Sequence, residues 1–241
     1  MKQNRTKKKA GSGANPLAFD GITREELQAR LNGASLVAIW ILREMGLDAY
    51  RLFDLYFGPG GAMRYNSLGR RMQATMPFLA LLAVHEWLCS EVRKSVKGVE
   101  QLLSPLALAD ASLPLTAEGR DYVRRLAGTS TSLYEIRAVE EQRVLVASLL
   151  DEGAEPEWIA RLAAKPDVAK GDVAGLRLLE GDGLREGALG VYSFERRHVP
   201  DLAARIRKGL HDAHASGMAA SMAGSMTSIW IARAWVDLYL V

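Results

Sequence analysis

The sequence predicts a mainly α-helical protein: a compact multi-helix domain with at most a small β-hairpin near residues 177–194. Three observations support this fold class. Apolar residues make up 49% of the 241 residues, which is enough to bury a core. Helix-start patterns recur along the chain, and only residues 188–194 have the composition of a strand. We therefore expect a disordered basic arm over residues 1–18 and a single helical domain over residues 19–241, with a possible subdivision near residues 128–132.

The N-terminal arm accounts for the net positive charge of the chain. Five of the 31 Lys and Arg residues lie among the first nine residues, which leaves 26 basic against 28 acidic residues elsewhere. The arm has little apolar surface to bury, so the entropy lost on ordering it would not be offset. Bulk charge thus does not predict a nucleic-acid-binding body, and any attraction to phosphates is local, in the arm or in a cluster of arginines.

The first helix has clear start and stop signals. Thr23-Arg-Glu-Glu26 is a capping box, with Ile22 and Leu27 at the positions of a hydrophobic staple. Asn32-Gly33 is expected to interrupt the helix. Gly46 suits the left-handed residue that follows a helix, so the segment should end there.

Residues 47–71 form an aromatic segment that a series of glycine and proline residues interrupts. Asp48 is placed to begin a short helix that contains Tyr50, Phe53, Tyr56 and Phe57. The series Gly58-Pro59-Gly60-Gly61 ends that helix, because no helix tolerates it. The chain is expected to restart as a helix near residues 66–67.

The remainder of the chain also predicts helices. Residues 78–92 are apolar nearly all round and are expected to form the most buried helix. Thr116 should begin a helix that ends at Gly128. Ser132 with Glu135 forms a capping-box pattern ahead of a long helix toward Asp151. Further helices are predicted from residue 155 to residue 165, and over residues 167–179, 201–216 and 217–240.

Catalytic motifs are incomplete, so we expect neither an enzyme nor a cofactor. His85-Glu86-Trp87-Leu88-Cys89 begins like a zinc-protease helix but has Cys where the second His is needed. Glu195-Arg-Arg-His198 lacks the second copy that a di-iron helical bundle requires. The single cysteine excludes an internal disulfide and a multi-thiolate metal site. His211 and His214 lie one turn apart on a predicted helix, and a metal-dependent helical enzyme is therefore kept as an alternative.

A DNA-binding transcriptional regulator is a second alternative. Residues 156–179 match a helix-turn-helix in part, with Lys165, Lys170 and Arg177 available for phosphates. The basic arm would add phosphate contacts from Lys7, Lys8 and Lys9. An ordinary helical hairpin explains the same pattern, because Ala164 replaces the preferred turn glycine and Pro166 stiffens the turn.

The helix that restarts after the glycines is the best candidate for a partner-binding surface. Arg64, Tyr65, Arg70 and Arg71 belong to residue types that are enriched at protein interfaces, and the alternative is that Arg64, Arg70 and Arg71 form a solvated face. In the C-terminal helix, residues 217–240, apolar residues at helical spacing lie beside a row of small residues that permits close helix approach. That helix is expected to pack on its own chain, with homodimerisation as the alternative.

The expected compartment is the cytoplasm. No run of 18 apolar residues exists, so membrane insertion is not expected. The basic N-terminus is not followed by an apolar run, and a single cysteine is compatible with reducing conditions.

Two parts of the aromatic segment resemble accessory proteins of conjugative plasmids and integrative elements. They are Asp48-Ala-Tyr-Arg-Leu-Phe53 and Arg64-Tyr-Asn-Ser-Leu-Gly-Arg-Arg-Met72, and the resemblance covers about 25 of the 241 residues. Some proteins of this kind regulate element genes. The resemblance therefore implies a non-catalytic regulatory or inhibitory protein of a mobile element, which acts on conjugative transfer or gene expression by binding a protein component such as the transfer machinery.

Overall fold

The protein is a mixed α/β protein in its computed structural model, which describes residues 22–71, 75–160, 162, 167–181 and 183–240. Of the described residues, 54% are helical and 18% lie in strands. The prediction of a mainly α fold with at most a small hairpin is therefore wrong. Residues 1–18, including Lys7, Lys8 and Lys9, lie outside the described residues.

Capping side chains define the first helices as predicted. The α-helices of the described residues are α1 (Arg24–Met45), α2 (Ala49–Phe57), α3 (Gly61–Arg71), α4 (Thr75–Glu91), α5 (Leu103–Ala109), α6 (Ala117–Leu126), α7 (Val199–Ala215) and α8 (Ala220–Leu240). The capping box before α1 is confirmed, because the Glu26 N–H donates to Thr23 Oγ1 at 3.2 Å and the Thr23 N–H to Glu26 Oε2 at 2.7 Å. Gly46 is left-handed, with φ 64°, and α1 ends there.

The predicted break at Gly33 is wrong. Helix α1 continues through Gly33, where its backbone meets α6. A Cβ atom at Gly33 would lie 2.6 Å from the carbonyl oxygen of Gly119, and one at Gly119 would lie 2.6 Å from that of Ala29. The two glycines thus let α1 and α6 cross in close contact, and Gly33 serves packing instead of ending a helix.

A five-stranded antiparallel sheet replaces most of the helices predicted between residues 132 and 179. The strands of the described residues are β1 (Arg93–Val96), β2 (Val99–Leu102), β3 (Ser132–Val139), β4 (Arg143–Ser148), β5 (Glu157–Ala160), β6 (Val173–Leu176), β7 (Leu178–Leu179), β8 (Glu186–Gly187) and β9 (Tyr192–Phe194). The large sheet has the order β5-β4-β3-β6-β9, while β1 with β2 and β7 with β8 form two-stranded sheets.

The long helix predicted after Ser132 is the β3–β4 hairpin. Val144 and Val146 alternate into the interior along β4, with the period of two that a strand requires. Glu135, the residue that suggested a capping box, pairs instead with Arg137 and Arg196. A local helix-start pattern was therefore overridden by pairing between strands.

The helical hairpin and the helix-turn-helix expected over residues 156–179 are also wrong. Strands β5 and β6 occupy this segment, and all four residues of β6 are buried. The predicted hairpin near residues 177–194 is correct in part. Leu178 of β7 pairs with Gly187 of β8, whereas β9 joins the large sheet beside β6.

The core lies between the helices and one face of the large sheet. Helix α1 packs against α4 and α6, and α8 packs against α2, α3, α7 and β9. Leu133, Tyr192 and Phe194 extend this core from the sheet. A second, smaller hydrophobic cluster, which includes Ile136 and Val146, lies on the opposite face of the large sheet. None of the described helices combines the length and apolarity needed to cross a membrane.

Candidate functional site

The aromatic segment folds into two helices joined by a tight turn, which we call the elbow: α2, the turn Gly58-Pro59-Gly60, and α3. The Asp48 carboxylate accepts the Arg51 N–H at 2.8 Å and so caps α2, as the sequence predicts. Helix α3 begins at Gly61, earlier than the predicted restart near residues 66–67. A Cβ atom at Gly61 would lie 2.0 Å from the carbonyl oxygen of Phe53, so only glycine lets α3 start directly against α2.

The inner face of the elbow is aromatic. Tyr56 and Phe57 are fully buried. The rings of Phe53 and Tyr65 stack with 4.8 Å between their centroids, and Phe53 stacks on Phe57 at 5.8 Å. Tyr65, one of the predicted partner-binding residues, is half-buried in this stack. Ring stacking therefore joins α2 to α3.

Two arginines fix the elbow to α8. Arg64 donates from Nη1 to the Phe57 carbonyl at 2.9 Å and pairs through Nη2 with Asp237. Arg233 donates from Nη2 to the Leu55 carbonyl, also at 2.9 Å. Both guanidinium groups thus lie at the carboxyl end of α2, where the helix dipole favours positive charge.

The sequence predicts that Arg64, Tyr65, Arg70 and Arg71 bind a partner. In the structure, Arg64 and Tyr65 make contacts within the chain, which leaves less of their surface for a partner. Arg70 and Arg71 belong to α3, but their side chains lie outside the part that the structure describes. Their role in partner binding stays a prediction.

Both helices of the elbow present apolar side chains to solvent, and we call these exposed side chains the outer face of the elbow. Met63 on α3 is 75% exposed and Tyr50 on α2 is 72% exposed. These are the most exposed large apolar side chains of the described residues. Leu55 is a third exposed apolar residue on α2, with 44% of its surface accessible.

The two histidines singled out in the sequence line a cleft beside α7. His211 and His214 lie there with Ser148, Arg207 and Thr227, and the cleft has a volume of about 660 Å³. Arg207 pairs with Glu152 on the same wall. Within the described residues no group of three or more His, Cys, Asp or Glu side chains is arranged to hold a metal ion. In the cleft the neighbours of the two histidines therefore include the hydroxyl groups of Ser148 and Thr227 and the Arg207–Glu152 ion pair.

The zinc-protease-like motif on α4 is part of the interior. Glu86 is fully buried and accepts hydrogen bonds from Tyr122 Oη and from the Leu189 and Gly190 N–H groups, the last two at 3.0 Å. Burial raises the pKa of Glu86, and these donors together with Arg177 oppose the rise. Through these hydrogen bonds the Glu86 carboxylate links α4 to α6 and to the loop before β9.

Cys89 is a buried core residue. Its thiol donates to the Ala34 carbonyl at 3.5 Å, and burial raises the pKa of the thiol far above its usual range. A thiol that stays protonated is a poor nucleophile and a poor metal ligand.

His85 is expected to make the free energy of unfolding depend on pH. Its Nδ1 shares a hydrogen bond of 3.1 Å with Ser35 Oγ, and burial lowers the pKa of the imidazole. Below the ordinary histidine pKa of about 6.5 the unfolded state therefore binds more protons than the folded state. This contribution to stability is complete above that pH and is lost as the pH falls, by at most about 1.4 kcal/mol per pH unit.

We expect His85→Gln to reduce the loss of unfolding free energy between about pH 7 and about pH 5, as measured by urea denaturation. Replacement of the exposed His214 by Gln is the control for the loss of a histidine. Equal pH dependence in the two variants would contradict the assignment to His85.

The DNA-binding alternative loses part of its basis. Arg177 is buried, pairs with Glu91 and donates to the Thr129 carbonyl at 2.9 Å, so it is not available for phosphates. Lys170 is exposed in the turn before β6. Lys165 lies outside the described residues, as does the basic arm.

Helix α8 supplies contacts that sequence reasoning missed. Asp237 and Arg233 bind the elbow, and a signal for them exists, because they are the charged residues of an otherwise uncharged stretch and lie four positions apart on one helix face. Trp235 is buried and donates to the Ser193 carbonyl at 3.2 Å. Helix α8 thus packs on its own chain through two different sides, and homodimerisation through residues 217–240 stays a prediction.

Comparison with protein-family models, with curated proteins and with solved structures found no match to this chain.

Proposed function

We propose that this chain is a non-catalytic regulatory or inhibitory protein of a mobile element, which acts in the cytoplasm by binding a protein component through the outer face of the elbow. One observation supports the choice of the outer face of the elbow as the binding surface. The most exposed large apolar side chains of the described residues, Met63 and Tyr50, lie on the two helices of the elbow. Met and Tyr are enriched at protein interfaces, and exposed apolar side chains gain most when a partner covers them.

The anchoring of the elbow supports the same proposal. Arg64 and Arg233 hold α2 and α3 against α8, and the aromatic stack holds the two helices together. A surface that is already fixed loses little conformational entropy when a partner binds. The elbow therefore combines apolar contact area with a preorganised backbone.

The partner class rests on the resemblance of residues 48–53 and 64–72 to accessory proteins of conjugative plasmids and integrative elements. The genes that neighbour this one encode the partners to be tested first. We give the DNA-binding alternative less weight, because strands occupy residues 157–160 and 173–176 and Arg177 is buried.

The proposal is tested by co-purification. The tagged chain is expressed with each neighbouring gene product, in wild-type form, as Tyr50→Glu with Met63→Glu, and as Met222→Glu. Met222 is the matched control because it is 58% exposed and lies about three helical turns before Arg233, the α8 residue that donates to the elbow. We expect one gene product to be retained by the wild-type and control chains and lost from the double variant. Retention by all three would exclude the elbow as the binding surface.

A fourth chain, with Arg70→Glu and Arg71→Glu, tests whether the predicted arginines belong to the same surface. Loss of the partner with this variant is the expected result. Unchanged retention would confine the surface to the apolar residues.

A further inference from the structure

A groove of about 290 Å³ lies between α7 and α8. Leu202, Ile206 and Ala234 line it and are buried, which makes its floor apolar. The ring of Trp230 forms one wall. A Cβ atom at Gly209 would lie 2.6 Å from that ring, so the indole rests directly on the α7 backbone. The groove is therefore a preformed apolar site with an aromatic side.

The rim of the groove is positively charged. Arg205 is exposed on α7, and Arg233 on α8 faces the same space. Among the described residues Asp237 supplies the one carboxylate that lines the groove, and it pairs with Arg64 of the elbow. Arg233 donates from Nη2 to the Leu55 carbonyl, but its Nε is buried without a hydrogen-bond acceptor among the described residues. An excess of guanidinium groups thus borders apolar surface.

We propose that this groove binds a small apolar carboxylate, with the carboxylate beside Arg205 and Arg233 and the hydrocarbon on Trp230 and the apolar floor. Sites for small molecules are mostly apolar and hold a few polar groups that orient the ligand. Guanidinium groups bind carboxylates through charge-assisted hydrogen bonds, in which the planar fork matches the two oxygens. The site is distinct from the outer face of the elbow and does not depend on the function proposed above.

The volume of the groove indicates the size of ligand that it can hold. Pockets for small molecules usually measure about 300–1,000 Å³, so this groove lies at the lower limit. It suits an acid of the size of octanoate. A folded protein partner would need about 800 Å² of surface on each side, which a groove of this size does not supply.

The proposal is tested with octanoate, 1-octanol and octylammonium, titrated into the full chain by calorimetry. We expect octanoate to bind with a Kd at or below about 1 mM, and the two analogues to bind at least about ten-fold more weakly because they lack the carboxylate. The Trp230 indole N–H signal, assigned from a Trp230→Phe variant, should shift during the octanoate titration.

Two variants on α7 test whether octanoate binding depends on the arginine at the groove or only on the positive charge of the helix. Arg205→Gln should weaken octanoate binding about ten-fold and leave octanol binding unchanged. Arg207→Gln is the matched control, since Arg207 lies two residues further along and lines the histidine cleft instead. Ala234→Leu should fill the groove and abolish the binding of octanoate.

Three results would overturn the proposal. They are equal affinity for octanoate and octanol, an octanoate affinity that Arg205→Gln leaves unchanged or that both arginine variants lower equally, and no saturation by octanoate at about 10 mM. If the Ala234→Leu chain does not fold, the two arginine variants alone decide the outcome.

Discussion

Arg177→Met is expected to lower the free energy of unfolding by about 3–5 kcal/mol, because it leaves Glu91 as an uncompensated buried charge. The two side chains are 1% and 3% exposed and form an ion pair. Burial raises the pKa of Glu91, while Arg177 and Ser228 oppose that rise. Without Arg177 the carboxylate has lost its counter-charge in the interior.

The pH dependence of this effect has a defined sign. Removing Arg177 raises the pKa of Glu91 in the folded state further above its unfolded value, so the folded state binds more protons. The deficit of the variant should therefore grow as the pH rises above the folded-state pKa of Glu91 in the wild-type chain, which burial already raises above the ordinary glutamate pKa of about 4.3. Urea denaturation at about pH 5 and about pH 8 measures this growth.

The double variant Arg177→Met with Glu91→Gln is the control for charge. Gln keeps an oxygen that can accept the Ser228 hydroxyl, which donates to Glu91 Oε1 at 2.7 Å in the wild-type chain. We expect the double variant to recover most of the stability, because both buried charges are gone. A double variant as unstable as Arg177→Met would show that packing, and not charge, explains the loss.

Glu86→Ala is expected to cost on the order of 3–6 kcal/mol, since two buried donors lose their acceptor and each unsatisfied group costs about 1–3 kcal/mol. These donors are Tyr122 Oη and the Gly190 N–H, whereas the Leu189 N–H loses Glu86 but keeps Tyr122 Oη as an acceptor. Tyr122→Phe should cost only about 1–2 kcal/mol, because the backbone donors keep the carboxylate. Urea denaturation of both variants measures the difference.

Equal destabilisation by the two variants would contradict this assignment. It would mean that the tyrosine hydroxyl, which also lies 3.0 Å from the Leu189 nitrogen, satisfies the backbone in place of Glu86.

Helix ends were predictable from the sequence because their determinants lie within a few residues. Thr23 and Thr116 cap α1 and α6 through their own hydroxyls, and Asp48 caps α2 through its carboxylate. Gly46 ends α1 because it adopts a positive φ. Such contacts need no knowledge of the rest of the fold.

Strands were harder to predict because their stabilising contacts are distant in sequence. In β6 every residue is buried, so the alternation that would indicate a strand is absent. Strand β3 pairs with β6, about 40 residues further along the chain. The β1–β2 hairpin has Gly98 as its local sequence signal, because glycine suits the two-residue turn in which Lys97 and Gly98 both adopt positive φ.

The position of the elbow was predictable from the sequence, but its contacts were not. The sequence indicated an aromatic segment broken by glycines, and the elbow occupies that segment. It could not show that Arg64 pairs with Asp237, 173 positions away, or that Tyr65 lies in a ring stack. Once those contacts are known, the exposed surface is that of Met63 and Tyr50, and not of Arg64 and Tyr65.

The most direct test of the elbow surface is the Kd of the co-purifying partner for three chains: wild type, Met63→Glu and Met222→Glu. Truncating or charging a binding hot spot costs about 2 kcal/mol or more, so we predict a Kd at least about 30-fold higher for Met63→Glu and a Kd unchanged within about two-fold for Met222→Glu. Equal affinity of the partner for the wild-type and Met63→Glu chains would contradict the account.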